Sequence, residues 1–462
     1  MTQISSISPR TRSSRAQSLR AQSSSAQGAT TQGAPAMPSI HVPGPSGESL
    51  ERWPGLFEPP RAPLAARVAR AIMRSTGERL PVQVRLADGK VIGAGGPESP
   101  QMCIHRPDAF FQRVGADLRV GFGEAYMVGD WAAGPSTDLA DLLTPFAKEM
   151  ASLVPRPLQR LRRLVDKRMP VAEVNTHDGA RRNIQRHYDL SNELFAKFLD
   201  ESMSYSSAWF GEGPPEATDL HQAQIRKIEG ILDYARVGQG TRVLEIGTGW
   251  GALAIAAARR GAHVVTVTLS GEQLAFAERR IEEAGLRDRI DVRLQDYRDV
   301  SGQFDAVVSV EMIEAVGEEY WPTYFAKIDQ VLAPGGRVAI QAITMSHERL
   351  LRTRRSYGWV HKYIFPGGLI PSLQAIEDTL ARHTRLRVAE RRELGWHYAE
   401  TLRQWRTRFL ANWGNADDLG FDEVFKRMWE FYLAYSEAGF RSGYLGVSQL
   451  ALVEPPTVAA HS

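Results

Sequence analysis

The chain has 462 residues, one cysteine (Cys103), 43% hydrophobic and 24% charged residues, and a formal net charge of +3. A lone cysteine excludes intramolecular disulfides and cysteine-rich metal clusters, and no metal site is expected. The near-balanced charge argues against a nucleic-acid partner, and no apolar run approaches the roughly 18 residues of a membrane span.

Residues 1–47 carry four arginines and no acidic residue among many Ser, Gln, Ala and Pro. Such a stretch buries too little apolar surface to fold, and 1–49 is predicted to be a disordered tail. Its composition also resembles an organellar transit peptide. It lacks an apolar signal-peptide core, so a cytoplasmic location is expected, peripheral at the inner membrane surface. Residues 50–150 are predicted to form a small α+β domain. There 64–73 has helical periodicity, 82–86 alternates like a strand, and Asp88-Gly89 marks a hairpin turn. Further strand-like pieces lead to 120–126 and then Gly129-Asp130-Trp131. Residues 151–175 are a basic linker, in which 156–168 interleave six cations and one anion with leucines. That pattern suits a segment lying on anionic headgroups, and equally a solvated connection between domains.

From 176 to 462 strand and helix patterns alternate, the signature of a doubly wound parallel α/β sheet. The buried strand Val243-Leu244-Glu245-Ile246 runs into Gly247-Thr248-Gly249-Trp250-Gly251, and a small-residue helix over 252–258 follows. Glycines there admit a ligand close to the backbone and to the amides that open the helix. The spacing is G-x-G-x-G rather than the dinucleotide G-x-G-x-x-G, with a carboxylate ahead of it. An early carboxylate suits a cationic ligand, such as the amino group and sulfonium of S-adenosylmethionine, better than a pyrophosphate. Further strands are expected at 264–268, 290–294, 304–310 and 336–341. Ligands of such sheets sit at the carboxyl ends of the strands, which places Glu245, Ser270, Gln273, Asp296 and the segment from Glu311 to Glu314 along one rim. Thr268, Ser270 and Gln273 offer polar groups where a second strand meets a ribose. Asp296 and Tyr297 offer a carboxylate for an adenine amino group and a ring for stacking. The cofactor set expected from these signals is Glu245, Gly247, Gly249, Gly251, Thr268, Ser270, Gln273, Asp296 and Tyr297.

Longer motifs then carry a resemblance. His187-Tyr188-Asp189-Leu190-Ser191-Asn192, Met203-Ser204-Tyr205-Ser206-Ser207-Ala208-Trp209-Phe210, Val310-Glu311-Met312-Ile313-Glu314-Ala315-Val316-Gly317 and Lys362-Tyr363-Ile364-Phe365-Pro366-Gly367-Gly368 are similar to the cyclopropane-fatty-acyl-phospholipid synthase family. Trp405-Arg406 with Arg408-Phe409, and Glu437-Ala438-Gly439-Phe440-Arg441, extend the likeness across roughly 176–452. The resemblance implies a Rossmann-like class I methyltransferase sheet, a smaller N-terminal α+β domain, and methyl transfer from S-adenosylmethionine to a cis double bond of a phospholipid acyl chain. It adds Tyr205 and Ser206 to the cofactor set. An alkene is a weak nucleophile, so alignment with the sulfonium methyl must supply much of the rate. Aromatic faces can stabilise the carbocation that follows, and Tyr205, Trp321, Tyr324, Trp359, Phe365, Trp396 and Tyr398 are the candidates, Tyr205 and Tyr398 foremost.

In the family a bound bicarbonate takes the proton, held through Cys, Glu, His, an Ile backbone and Tyr. The matching positions are Ser207, Glu314, Gln341, Ile343 and Tyr398, so Ser stands for Cys and Gln for His. Gln341 cannot carry a positive charge, and an anion beside Glu314 should bind more weakly; bicarbonate is thus a second candidate ligand. A family cysteine near the C-terminus matches Ser436, which rules out thiol catalysis. The product expected is a cyclopropane fatty acid, with a 10-methylene branched chain as the alternative. Partners are an unsaturated phospholipid at a membrane surface and, for the chain itself, a second copy in a homodimer. Segments 357–371, 402–411 and 424–438 are candidates to cover an acyl tunnel, and Arg349, Arg352, Arg354 and Arg355 to meet lipid phosphates. Rival readings are a small-molecule or nucleic-acid methyltransferase and a non-catalytic lipid-binding protein.

Overall fold

In a computed structural model of the chain, the described residues are 47–149, 170, 175–177, 179–180, 182–183, 192–213, 218–415 and 419–455. The tail before residue 47, nearly all of the basic linker, and the motif residues His187 to Ser191 fall outside them. The first described helix, Gly47–Arg52, begins inside the stretch assigned to the tail. It finds partners that a sequence does not reveal: Ser49 Oγ and Trp53 Nε1 donate to Asp422 (2.8 and 2.9 Å) and Arg52 to the Gly420 carbonyl.

Strands β1 (Gln83–Leu86), β2 (Val91–Ile92), β3 (Gln101–Ile104) and β4 (Trp131–Ala133) form a sheet in the order β2-β1-β3-β4. The Asp88-Gly89 turn closes an antiparallel β1–β2 pair, with Gly89 at φ 83°. The stretch 120–126 is helical, in Leu118–Met127, although its alternating Val, Phe, Ala and Tyr suggested strand. Asp117 caps this helix by accepting from the Arg119 and Val120 amides. The glycines that broke the helical pattern serve close packing instead. A Cβ on Gly121 would lie 2.3 Å from the Arg113 carbonyl, and one on Gly123 2.5 Å from the Trp359 ring.

The second sheet has seven strands: β5 (Arg242–Ile246), β6 (His263–Thr268), β7 (Ile290–Leu294), β8 (Phe304–Val310), β9 (Leu332–Thr344), β10 (Arg387–Glu393) and β11 (Gly446–Val453). Their order is β10-β11-β9-β8-β5-β6-β7. Six of the seven strands point the same way, and β11 runs antiparallel to both its neighbours, β9 and β10. Strands covered on both faces are near-continuous apolar runs, as in β5, where Val243, Leu244 and Ile246 are buried; each such side chain contributes about 1.5–3 kcal/mol by leaving water. The order reverses between β5 and β8, so a crevice opens at their carboxyl ends.

One large core joins the two sheets. It runs from Phe110, Met127 and Trp131 through the paired helices Gly395–Ala411 and Glu423–Arg441 to Phe195, Trp250 and Tyr398. Those two helices carry the segments expected to cover an acyl chain. Among the described residues no helix is long and apolar enough to cross a membrane.

Candidate active site

Glu245 is the penultimate residue of the central strand β5 and is 3% exposed. Its Oε2 accepts from Thr266 Oγ1 at 2.6 Å, and Thr266 Oγ1 pairs with Thr248 Oγ1 at 2.8 Å. Burial pushes its carboxyl up to about 8, against the Thr266 bond and the charge of Lys227, which pull it down. Lys227 is itself buried and its ammonium is pulled down to about 8 by desolvation; it donates to Ser206 Oγ at 2.7 Å. The loop after Glu245 turns through Gly247, Gly249 and Gly251 at φ 99°, 51° and 86°. Gly251 precedes the helix Ala252–Arg259, and a Cβ built on Gly249 would meet nothing within 4 Å. Among the described residues no cation hydrogen-bonds this buried acid, and the free side of Gly249 leaves room near it, which fits a cationic ligand.

The other cofactor candidates line the same rim. Ser270 caps the helix Gly271–Glu283 through the Gln273 amide, and Thr268 Oγ1 donates to Gln273 Oε1 at 2.9 Å. The turn is thereby fixed with three polar side chains in one place. Asp296 and Tyr297 follow β7, but both carboxylate oxygens of Asp296 are engaged by Arg298, the closer contact being 2.6 Å. Despite desolvation, which raises it, the Asp296 carboxyl is held below its usual value by that pairing. Tyr205 stacks on Trp405 (5.2 Å, 27°) and its hydroxyl meets that of Tyr432 at 2.8 Å.

The proton-transfer candidates divide into two groups. Ser207, Gln341 and Tyr398 converge on Glu311, a residue that the sequence placed on the rim without a role. Glu311 Oε1 accepts from the Ser207 amide (2.9 Å) and Gln341 Nε2 (2.7 Å), and Oε2 accepts from the Tyr398 hydroxyl (2.8 Å). Gln449 Nε2 in turn donates to Gln341 Oε1 at 3.1 Å, which fixes the amide with its NH₂ toward Glu311. The backbone of Glu311 sits at φ 50°, a region unfavourable for a residue with a Cβ and found enriched at functional sites. Burial raises the Glu311 carboxyl above its ordinary value. Glu314 and Ile343 form the second group, the Ile343 amide donating to Glu314 Oε1. Glu314 Oε2 is buried with no hydrogen-bond partner among the described residues. Burial, reinforced by the Glu311 charge, pushes the Glu314 carboxyl up to about 8. Ser436 lies on the helix Glu423–Arg441, and none of these bonds reaches it.

Aromatic rings wall this cluster. Tyr398 packs on Phe440 (4.5 Å) and edge-on to Trp405 (6.1 Å), while Tyr205 meets Phe195 at 5.1 Å and Phe365 meets Tyr432 at 5.8 Å. Trp321 and Tyr324 belong to a different core, behind the sheet, and Trp359 packs against Phe431 toward the N-terminal sheet. Trp396 is 47% exposed. Of the four arginines expected to meet phosphates, Arg352 pairs with Glu348, Arg354 with Glu318, and Arg349 lies over the Tyr444 ring.

A seven-stranded sheet in this order, with its glycine loop after the first central strand, is the class I methyltransferase fold. Residues 175–450 match the mycolic acid cyclopropane synthetase family. The chain is 52% identical over 415 residues, 88% of its own length and 96% of the relative's, to the tuberculostearic acid methyltransferase UfaA1 of Mycobacterium tuberculosis. It is 35% identical over 358 residues, 76% and 87%, to the cyclopropane-fatty-acyl-phospholipid synthase of Escherichia coli. The solved structure of the cyclopropane synthase MmaA2 from Mycobacterium tuberculosis superposes with a TM-score of 0.54 at 29% identity, covering 59% of this chain and 97% of that one. The cyclopropane synthase CmaA1 complexed with SAH and CTAB gives the same values. The chain therefore belongs to the cyclopropane synthase family of S-adenosylmethionine-dependent methyltransferases and is an enzyme of that family.

Proposed function

We propose that this enzyme transfers a methyl group from S-adenosylmethionine to a cis double bond in the acyl chain of an unsaturated phospholipid. The observation that carries the reading is the pairing, on one rim, of a buried carboxylate beside an open glycine loop with an aromatic-walled cluster of carboxyls. Glu245, Gly247, Gly249 and Gly251 would hold the methionine part, and Thr268, Ser270 and Gln273 the ribose; Tyr205 and Ser206 close the loop side. Asp296 takes the adenine amino group with the oxygen lone pairs that Arg298 leaves free. The cofactor supplies an activated methyl on a sulfonium. The protein's part is to exclude water, align the alkene and provide ring faces for the developing cation.

Two products follow from one cation. Proton loss from the transferred carbon closes a cyclopropane, and a hydride shift before that loss gives a methylene branch. The 52% likeness to a relative named for tuberculostearic acid fits the branched outcome, and the likeness to the cyclopropane-fatty-acyl-phospholipid synthase fits the ring that the motifs favour. The test is incubation with S-adenosylmethionine and vesicles of an oleoyl phospholipid, followed by fatty-acid methyl ester analysis. A gain of one CH₂ is expected, and hydrogenation then separates the isomers, since a methylene branch takes up hydrogen readily. No gain in any unsaturated lipid removes the assignment.

We further propose a domain organisation in which 50–150 is a structural unit and 176–462 the catalytic one, and an enzyme that meets lipid at a membrane surface.

A further inference from the structure

Four donors that could cradle a small anion in this site, the Ser207 and Ile343 amides, Gln341 Nε2 and the Tyr398 hydroxyl, are already taken by carboxyls of the chain. The Ser207 amide, Gln341 Nε2 and the Tyr398 hydroxyl all point at Glu311, within 2.7–2.9 Å. The remaining donor, the Ile343 amide, is used by Glu314. A bicarbonate placed among these groups would have to displace Glu311 or Glu314 to reach the Ser207 amide, Gln341 Nε2, the Tyr398 hydroxyl or the Ile343 amide, and would lie against two carboxyls. The site does not fit that ion.

We infer that Glu311 is itself the proton acceptor of the methyl-transfer reaction, a built-in carboxylate in place of a diffusible base. The inference rests on the reaction proposed above. Three independent features support it. The carboxylate is held by three donors, and donors favour the ionised, proton-accepting form. Glu314, by contrast, has a single backbone donor from another residue, and burial, with the Glu311 charge added, pushes its carboxyl up to about 8. The left-handed backbone at Glu311 aims the side chain at a cost that a purely structural glutamate would not need. Finally, Tyr398, which carries the Glu311 bond, is part of the aromatic wall, its ring 4.5 Å from Phe440.

The step balances within the site. The alkene π pair forms a bond to the transferred methyl as the methyl–sulfur bond breaks, leaving a neutral thioether and a carbocation on the acyl chain. Glu311 then takes a proton from the methyl-derived carbon. The released C–H pair closes the ring or, after a hydride shift, forms the exocyclic double bond, and the proton leaves Glu311 to solvent.

The experiment compares wild type, Glu311→Gln and Glu311→Gly in buffer stripped of carbon dioxide and in buffer with added bicarbonate. Wild-type turnover is expected to be equal in both. Glu311→Gln, which keeps the shape, can still accept from the Ser207 amide and Gln341 and can donate its own NH₂ to the Tyr398 hydroxyl oxygen, should lose at least about a hundredfold in kcat, while its melting temperature stays within a few degrees of wild type and its affinity for S-adenosylhomocysteine within about threefold. Glu311→Gly relieves the backbone strain and opens the cradle, so turnover that rises with bicarbonate supports the inference. Wild-type turnover that collapses without bicarbonate and returns with it overturns the inference while leaving methyl transfer intact, as does Glu311→Gln with more than half of wild-type kcat. A wild type that modifies no lipid in either buffer sinks the methyl-transfer reading itself.

Discussion

The small sheet and the large one treat buried acids in opposite ways. Asp130, in the N-terminal region, is fully buried and bonded by Arg113 at 2.9 Å and by Arg106 at 2.7 Å. Glu437, on the helix between the two sheets, likewise meets Arg406 and Arg441. Glu245, Glu311 and Glu314 accept only from hydroxyls, an amide side chain and backbone N–H groups, and among the described residues none forms an ion pair. Lys227 acts on Glu245 and Glu311 through space without a direct bond. An acid that serves the fold is neutralised by a cation of the fold. An acid that serves a cationic ligand must leave that role to the ligand, at a cost in the stability of the empty protein.

The contrast can be broken at several points. Asp130→Ala should be the most damaging, because it leaves Arg113 buried and unpaired; about 3–5 kcal/mol of stability should go, seen in urea unfolding, with the cofactor affinity of the remaining folded protein unchanged. Glu245→Gln preserves an acceptor for Thr266 but removes the charge, and calorimetry should show S-adenosylmethionine binding weakened by about a hundredfold or more, with little loss of stability. Equal affinity in that variant would remove Glu245 from the cofactor site. Glu314→Gln should bind the cofactor nearly as wild type and lose about ten- to a hundredfold in kcat; an unchanged rate would leave Glu314 a purely structural residue.

The carboxyls also set a pH dependence. Glu245 and Glu314 have folded values near 8, above their unfolded values. The folded, ligand-free protein therefore holds protons that the unfolded chain releases between about pH 4.5 and 8, and its stability falls as pH rises through that window. A cationic ligand favours the ionised forms, so its affinity should rise with pH up to about 8, by at most about tenfold per unit for each proton released. Calorimetry in buffers of different ionisation enthalpy reads that release, and a flat profile from pH 6 to 8 would contradict it. The smallest effect expected is that of Ser436→Ala, with turnover within about twofold of wild type, since no bond links Ser436 to the carboxyl cluster; a larger loss would place it in the chemistry after all.

Much of the rim was legible in the chain because its signals are local. The strand from Val243, the glycine turn at 247–251 and the polar groups at Ser270 and Asp296 each depend on residues close in the chain, and periodicity marked β7 and β8 to the residue. The family motifs grouped Glu314, Gln341 and Tyr398 in one set, whereas the bonds of Gln341 and Tyr398 go to Glu311. The helix at 118–127 was not legible, because Gly121 and Gly123 break a pattern for the sake of Arg113 and Trp359, which are distant in sequence or belong to another element. Nor were β10 and β11, since β11 joins the sheet by pairing with β9 across more than a hundred residues and β10 joins only through β11.

What the sequence determined by itself is the type of sheet, the acidic strand end beside three glycines, and the kind of ligand those two can accept. What only the tertiary structure decided is which carboxylate the donors choose. Ser207, Gln341 and Tyr398 come from a loop, a strand and a helix, and hydrogen bonds select partners by position within about 3 Å. Glu311 and Glu314 are one helical turn apart in the chain and chemically identical; the left-handed backbone at Glu311 is what carries one of them into the cradle and leaves the other beside it.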